Sequence, residues 1–150
     1  MKKRIIPVFI AAVLLLGMSG TAFGHCEIPC GIYDDEMRIE LMREHITTIE
    51  KSMKMVKELQ GADHAHANQL VRWVVNKEDH ANKLQHIISQ YFMTQRIKLD
   101  TNKYTEKISV LHHMLIYAMR CKQTTDMQNV KTLRKLVDQF ESLYFEKDKD

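Results

Sequence analysis

The sequence predicts an all-α protein, an up-down-up-down four-helix bundle preceded by an irregular N-terminal segment and a cleaved signal peptide. Three observations carry that prediction. The 150 residues include only 5 Gly and 2 Pro, and Gly17, Gly20, Gly24 and Pro7 all fall before residue 25. Beyond them stand Pro29, Gly31 and Gly61, too few for the turns that sandwiches, barrels and doubly wound sheets require. Apolar residues recur at alternating steps of three and four, the spacing of one helix face. The stretches between these runs are short, so neighbouring helices should be antiparallel. Length and composition, with 45% hydrophobic and 27% charged residues, suit one globular domain.

Residues 1–24 read as an export signal. Lys2, Lys3 and Arg4 form a basic start, Ile5 to Leu16 an apolar core, and Ala22-Phe23-Gly24 a small-residue cleavage site. The apolar run is shorter than the roughly 20 residues of a membrane span. The pattern predicts a Sec-type signal cut after Gly24 by signal peptidase, a secreted or periplasmic product, and no membrane association after cleavage. Loss of the three basic residues would leave 19 Lys+Arg against 19 Asp+Glu, and the formal charge falls from +3 to zero. No basic block remains to recruit nucleic acid.

Residues 25–150 form the bundle domain, with its irregular entry over residues 25–34. Helix 1 should begin at Asp34 or Asp35, either of which can cap it, and run through Ile39, Met42, Ile46, Ile49, Met53 and Val56 to a stop at Gly61. The second helix should span residues 63–93 with Leu70, Val74, Ala81, Leu84, Ile88 and Tyr91 inward. Asp100 or Thr101 can cap the third, whose face is Tyr104, Ile108, Leu111, Leu115 and Ala118. Thr124 or Thr125 can cap the fourth, with Val130, Leu133, Val137, Phe140 and Tyr144 inward.

A bundle by itself carries no function. The usual bundle metal centre needs two Glu-x-x-His pairs, and the sequence has none. The chemistry lies instead at the new N-terminus, His25-Cys26-Glu27-Ile28-Pro29-Cys30-Gly31-Ile32-Tyr33-Asp34. Cleavage frees an α-amine on His25, far easier to deprotonate than a lysine. That amine, the Cys26 amide nitrogen and the Cys26 thiolate close two five-membered chelate rings on one metal. Cys30 can fold back as the fourth donor, with Pro29 fixing a bend and Gly31 allowing the reversal. The His25 imidazole can approach along the axis. A planar N₂S₂ set suits Ni(II) or Cu(II), whereas zinc prefers a tetrahedron. Thiolates and a deprotonated amide also stabilise a higher oxidation state, so the set favours one-electron cycling. In an oxidising compartment Cys26 and Cys30 could instead form a disulfide. His25 at the cut and Pro29-Cys30-Gly31 beside it favour the metal.

His-Cys-x-x-Pro-Cys-Gly-x-Tyr resembles the metal hook of the nickel superoxide dismutases at every fixed position. Arg38-Ile39-Glu40, Asn76-Lys77-Glu78 and Ser89-Gln90-Tyr91-Phe92 are similar to further parts of the family's pattern. Together with the helix layout they cover nearly the whole chain after the signal. The resemblance implies one nickel per subunit, bound by His25 through amine and imidazole, by Cys26 through amide nitrogen and sulfur, and by Cys30 through sulfur. It implies a homohexamer that disproportionates superoxide to dioxygen and hydrogen peroxide by Ni(III)/Ni(II) cycling. It implies that Tyr33 stands at the open face, that Tyr91 supports it and that Glu40 orients the axial imidazole. Three features depart from the pattern. Glu27 stands where Asp is common, His80 falls where some members carry an arginine, and a Sec-type signal replaces a short dedicated leader.

The remaining candidates have plainer readings. Cys121 reads as a buried thiol, Met42 and Met53 as core filling, His64 and His66 as a solvated helix start, and His45 and His86 as interface or surface residues. The adjacent His112 and His113 point in different directions and make poor co-ligands. A non-catalytic nickel or copper carrier with the same hook is the alternative to an enzyme. A deprotonated amide exchanges metal slowly, which argues against a carrier.

Cys26→Ser and Cys30→Ser should each abolish nickel redox and dismutation. One residue inserted between Gly24 and His25 should do the same while leaving every side chain in place. Full activity of the insertion variant in a superoxide assay would contradict a terminal-amine ligand.

Overall fold

The computed structural model describes residues 29–61 and 64–146. The predicted signal peptide, His25 and Cys26 lie outside the described residues. The chain divides into two compact units, 1–30 and 31–150, and the architecture below is that of the second. Among the described residues the protein is all-helical. α1 spans Asp35–Leu59. After a single 3₁₀ turn at His64–His66, α2 runs over Ala67–His86 and continues as a π-helical segment over Ile87–Arg96. α3 is Tyr104–Gln123 and α4 is Met127–Phe145. No described helix is long and apolar enough to cross a membrane.

Cross-helix contacts fix the directions. Asp35 meets Tyr91, His45 meets His80 and Ser52 meets Asn76, so α1 and α2 run antiparallel. Gln85 bonds the Leu115 carbonyl and Lys77 that of Lys122, which reverses α3 against α2. Lys107 lies over the Tyr144 ring and Lys103 pairs with Glu146, placing α4 against α3. Arg43 with Glu141, and Glu50 with Arg134, close α4 onto α1. The result is the expected up-down-up-down order.

The seam residues of α1 are all buried, from Ile39 through Met42, Ile46, Ile49 and Met53 to Val56. Asp34 is the cap, accepting from the Met37 amide at 3.0 Å, and Gly61 ends the helix region at φ +82°. Val130, Leu133, Val137 and Phe140 of α4 are buried as predicted, with Tyr144 packed against them. Cys121 is a buried thiol; burial pushes it up to about 11, so it is not a reactive thiolate.

Four expectations need correction. The cap of α3 is Lys103, at φ 54°, not Asp100 or Thr101; the Thr101 hydroxyl instead accepts from the Lys98 amide, closing the turn before the helix. The cap of α4 is Asp126, whose carboxylate accepts from the Gln128 amide, while the Thr124 hydroxyl accepts from the Asp126 amide. Val74 is not inward but 37% exposed, flanked by exposed Val71 and Val75. The inward face of α3 is centred on Lys107, Val110, Leu111, Met114, Ala118 and Cys121, with Tyr104, Ile108 and Leu115 at its flank.

The π-helical end of α2 has the largest consequence. The Ile97 amide bonds the Phe92 carbonyl at 2.9 Å, an i→i+5 closure. On an α-helix Tyr91 and Arg96 would stand about 140° apart. The wider turn brings residues five apart toward one side, so Tyr91 and Arg96 both reach α1. Phe92 then fills the core, ringed edge-on by Tyr91, Phe140 and Tyr144 at centroid distances of 5.0, 4.9 and 5.4 Å. Phe92→Ala should destabilise the bundle by about 3–5 kcal/mol in chemical denaturation. A loss under 1 kcal/mol would mean that this end is loosely packed.

Candidate functional site

The candidate site residues enter the described structure at a turn over residues 29–31. Gly31 adopts φ +81°, in the left-handed region that suits glycine. The backbone therefore reverses where the sequence requires it. Cys30 is exposed. Among the described residues no three of His, Cys, Asp and Glu cluster to hold a metal ion. The hook donors still fit nickel by their chemistry, because two nitrogens and two thiolates on one short, glycine-reversed segment can lie in a plane.

Tyr33, just before the cap of α1, is 37% exposed. Its ring meets Tyr91 edge-on at 5.8 Å, so the structure brings together the two tyrosines singled out in the sequence. Arg96 covers the Tyr33 ring with its Cζ 4.3 Å from the centroid, and Arg38 covers Tyr91 at 5.0 Å.

Behind the pair lies a carboxylate that the sequence suggested only as a helix cap. Asp35 Oδ1 accepts from the Tyr91 hydroxyl at 2.6 Å and from Arg96 Nε at 2.8 Å. Its Oδ2 accepts from Arg96 Nη2 at 2.6 Å and from the Tyr144 hydroxyl at 2.8 Å. Four charge-assisted bonds thus converge on one group from the ends of α2 and α4. Burial alone would raise the Asp35 carboxyl, but the Arg96, Tyr91 and Tyr144 bonds outweigh it and hold the group below its ordinary value. Burial, reinforced by the Asp35 charge, pushes Tyr91 up to about 12. The same causes raise Tyr144. The hydrogen bond to Asp35 raises Arg96 despite partial burial. Tyr91 is therefore a neutral hydrogen-bond donor at neutral pH.

Glu40 stands elsewhere. Its side chain is exposed and pairs with Arg43 at 3.0 Å, within a network where Arg43 also holds Glu141 and Asp138. It lines an open groove of about 620 Å³ with Glu36, Glu141 and Glu146. His80 faces His45 with their Nδ1 atoms 3.1 Å apart. Burial lowers both imidazoles, so at neutral pH one ring donates to the other. Sequence reasoning missed Asp35 as a hub, Arg96 altogether, and Tyr144 beyond its apolar role. No spacing rule links residues 35, 96 and 144.

The family described as nickel-containing superoxide dismutase matches residues 20–148, nearly the whole chain, and the protein belongs to that family. No curated protein and no solved structure gives a significant match. Nickel is the cofactor, superoxide the substrate, and the activity that of an oxidoreductase.

Asp35→Asn should cost about 2–3 kcal/mol, since two tyrosine hydroxyls and Arg96 lose their anionic acceptor. Because the folded carboxyl is depressed, its stabilisation is complete above the unfolded value near 3.8 and disappears as pH falls through the folded value. Acid denaturation should therefore show a steep limb below pH 4 that the Asn variant lacks. Superimposable limbs would remove Asp35 from this role.

Proposed function

We propose that cleavage after Gly24 builds the nickel site of this dismutase, with His25 amine and imidazole, Cys26 amide nitrogen and thiolate, and Cys30 thiolate as the ligands. The observation that supports it is the family match itself. It begins at residue 20 and so takes in the hook from His25 to Tyr33. When bound, nickel would supply the one-electron redox chemistry of the reaction, held by these ligands.

The chain's own residues supply the rest. Tyr33 follows Cys30 by three residues and presents its phenol to the open face, where it admits and orients a small anion. Tyr91 holds Tyr33 in place by its ring, and its own orientation is fixed by Asp35. Glu40, whose Oε1 is held by Arg43, orients the His25 imidazole. The aromatic cluster of Phe92, Phe140 and Tyr144 packs against Tyr91 and keeps this end of the bundle rigid. The subunits assemble as a homohexamer, and the product is exported to the periplasm or beyond through the Sec route. The carrier reading has no comparable support, because the matched family is catalytic.

The test is N-terminal sequencing of the exported protein together with metal analysis and electron spin resonance. The expected result is a chain beginning at His25, one nickel per chain and a rhombic Ni(III) signal split by an axial nitrogen. A fully active enzyme that begins at any other residue would overturn the ligand assignment.

A further inference from the structure

Superoxide is an anion, and without residues 1–24 the formal charge of the chain is zero, so the field that draws it must be local. The arginines of the bundle are not equivalent. Arg96 is bound to both oxygens of Asp35, Arg43 is shared among three carboxylates, and Arg134 is paired with Glu50. Arg38 differs. Among the described residues it forms no ion pair, and its Nε is buried with no hydrogen-bond partner. Its guanidinium lies against the Tyr91 ring, which attracts the cation without neutralising it. Among the described residues no neighbouring carboxylate pairs with it. Asp35 is bound to Arg96, Asp34 accepts from the Met37 amide, Glu40 pairs with Arg43, and Glu36 and Glu40 line the groove beside α4.

We propose that Arg38 is the anion-guiding residue of this protein, a positioning cation that draws superoxide to the face of the Tyr33–Tyr91 pair. An orphaned guanidinium N–H is costly, and a small monovalent anion satisfies both the charge and the donor. The identity of the anion as superoxide rests on the dismutase reading. The anion site itself does not.

Two measurements test it. In the nickel-free protein, azide is titrated while the Arg38 Nε–H resonance is followed. Saturable displacement of that signal, with the Arg96 signal unmoved, supports the proposal; no displacement overturns it, whatever the protein's activity. In the nickel-loaded enzyme, Arg38→Gln should lower kcat/KM about tenfold at low ionic strength. The deficit should close as salt shortens the screening length below about 10 Å, and Arg38→Lys should retain most of the rate. An unchanged salt slope in Arg38→Gln, or an equal loss in Arg38→Lys at every ionic strength, would reduce Arg38 to packing on Tyr91 and overturn the proposal. Should the parent enzyme lack dismutase activity, the family reading fails by itself, and the azide titration still decides the site.

Discussion

One carboxylate ties this end of the bundle together. Asp35 opens α1, yet its two oxygens take the Tyr91 hydroxyl, both arms of Arg96 and the Tyr144 hydroxyl. Three helices are thereby joined at the first turn of α1. Tyr33 sits two residues upstream, so the group that presents the phenol is anchored to the group that organises the helix ends. The arrangement is strong because it is fully satisfied. A partly buried carboxylate with every lone pair occupied stabilises, whereas the same group lacking one donor would leave an uncompensated charge.

That knot depends on the change of helical pitch. Tyr91 and Arg96 are five apart, and an α-helix would turn one of them away from α1. Widening the helix over Ile87–Arg96 gives up ideal backbone geometry and gains the convergence of both side chains on Asp35. It also turns Phe92 into the core, where the edge-on rings of Tyr91, Phe140 and Tyr144 close around it. Wide turns of this kind recur at functional sites, and here one lies directly beneath the tyrosine pair.

The helical seams were legible because burial imposes a period. Ile39 to Val56 and Val130 to Phe140 follow it without exception. Caps were legible only to within a residue, as at α1, where Asp34 and Asp35 both qualified and Asp34 took the cap. At α4 the two threonines offered, Thr124 and Thr125, were passed over, and Asp126 took the cap while Thr124 supported it. Val74 was misjudged because a face can be apolar without a neighbour to cover it. The convergence of Asp35, Arg96 and Tyr144 left no trace, since contacts between distant residues have no period and a π turn has no simple composition signal. The hook was the reverse case. Its spacing His25-Cys26…Cys30 spoke directly of chemistry, because the proposed ligands lie within six residues of sequence.

The two parts of the protein thus divide the work. In the proposed reading a short terminal segment supplies the donors for nickel, and the bundle end supplies Tyr33, Tyr91 and Arg38 for the substrate. The bundle's half of this account rests on Asp35 holding Tyr91 as a fixed, neutral donor. Site-specific carbon-13 labelling of the Tyr91 ring, followed by NMR through a pH titration of the folded protein, tests that most directly. The account predicts that Tyr91 stays protonated through pH 11, in keeping with a value near 12; ionisation near the ordinary phenol value of 10 would contradict it.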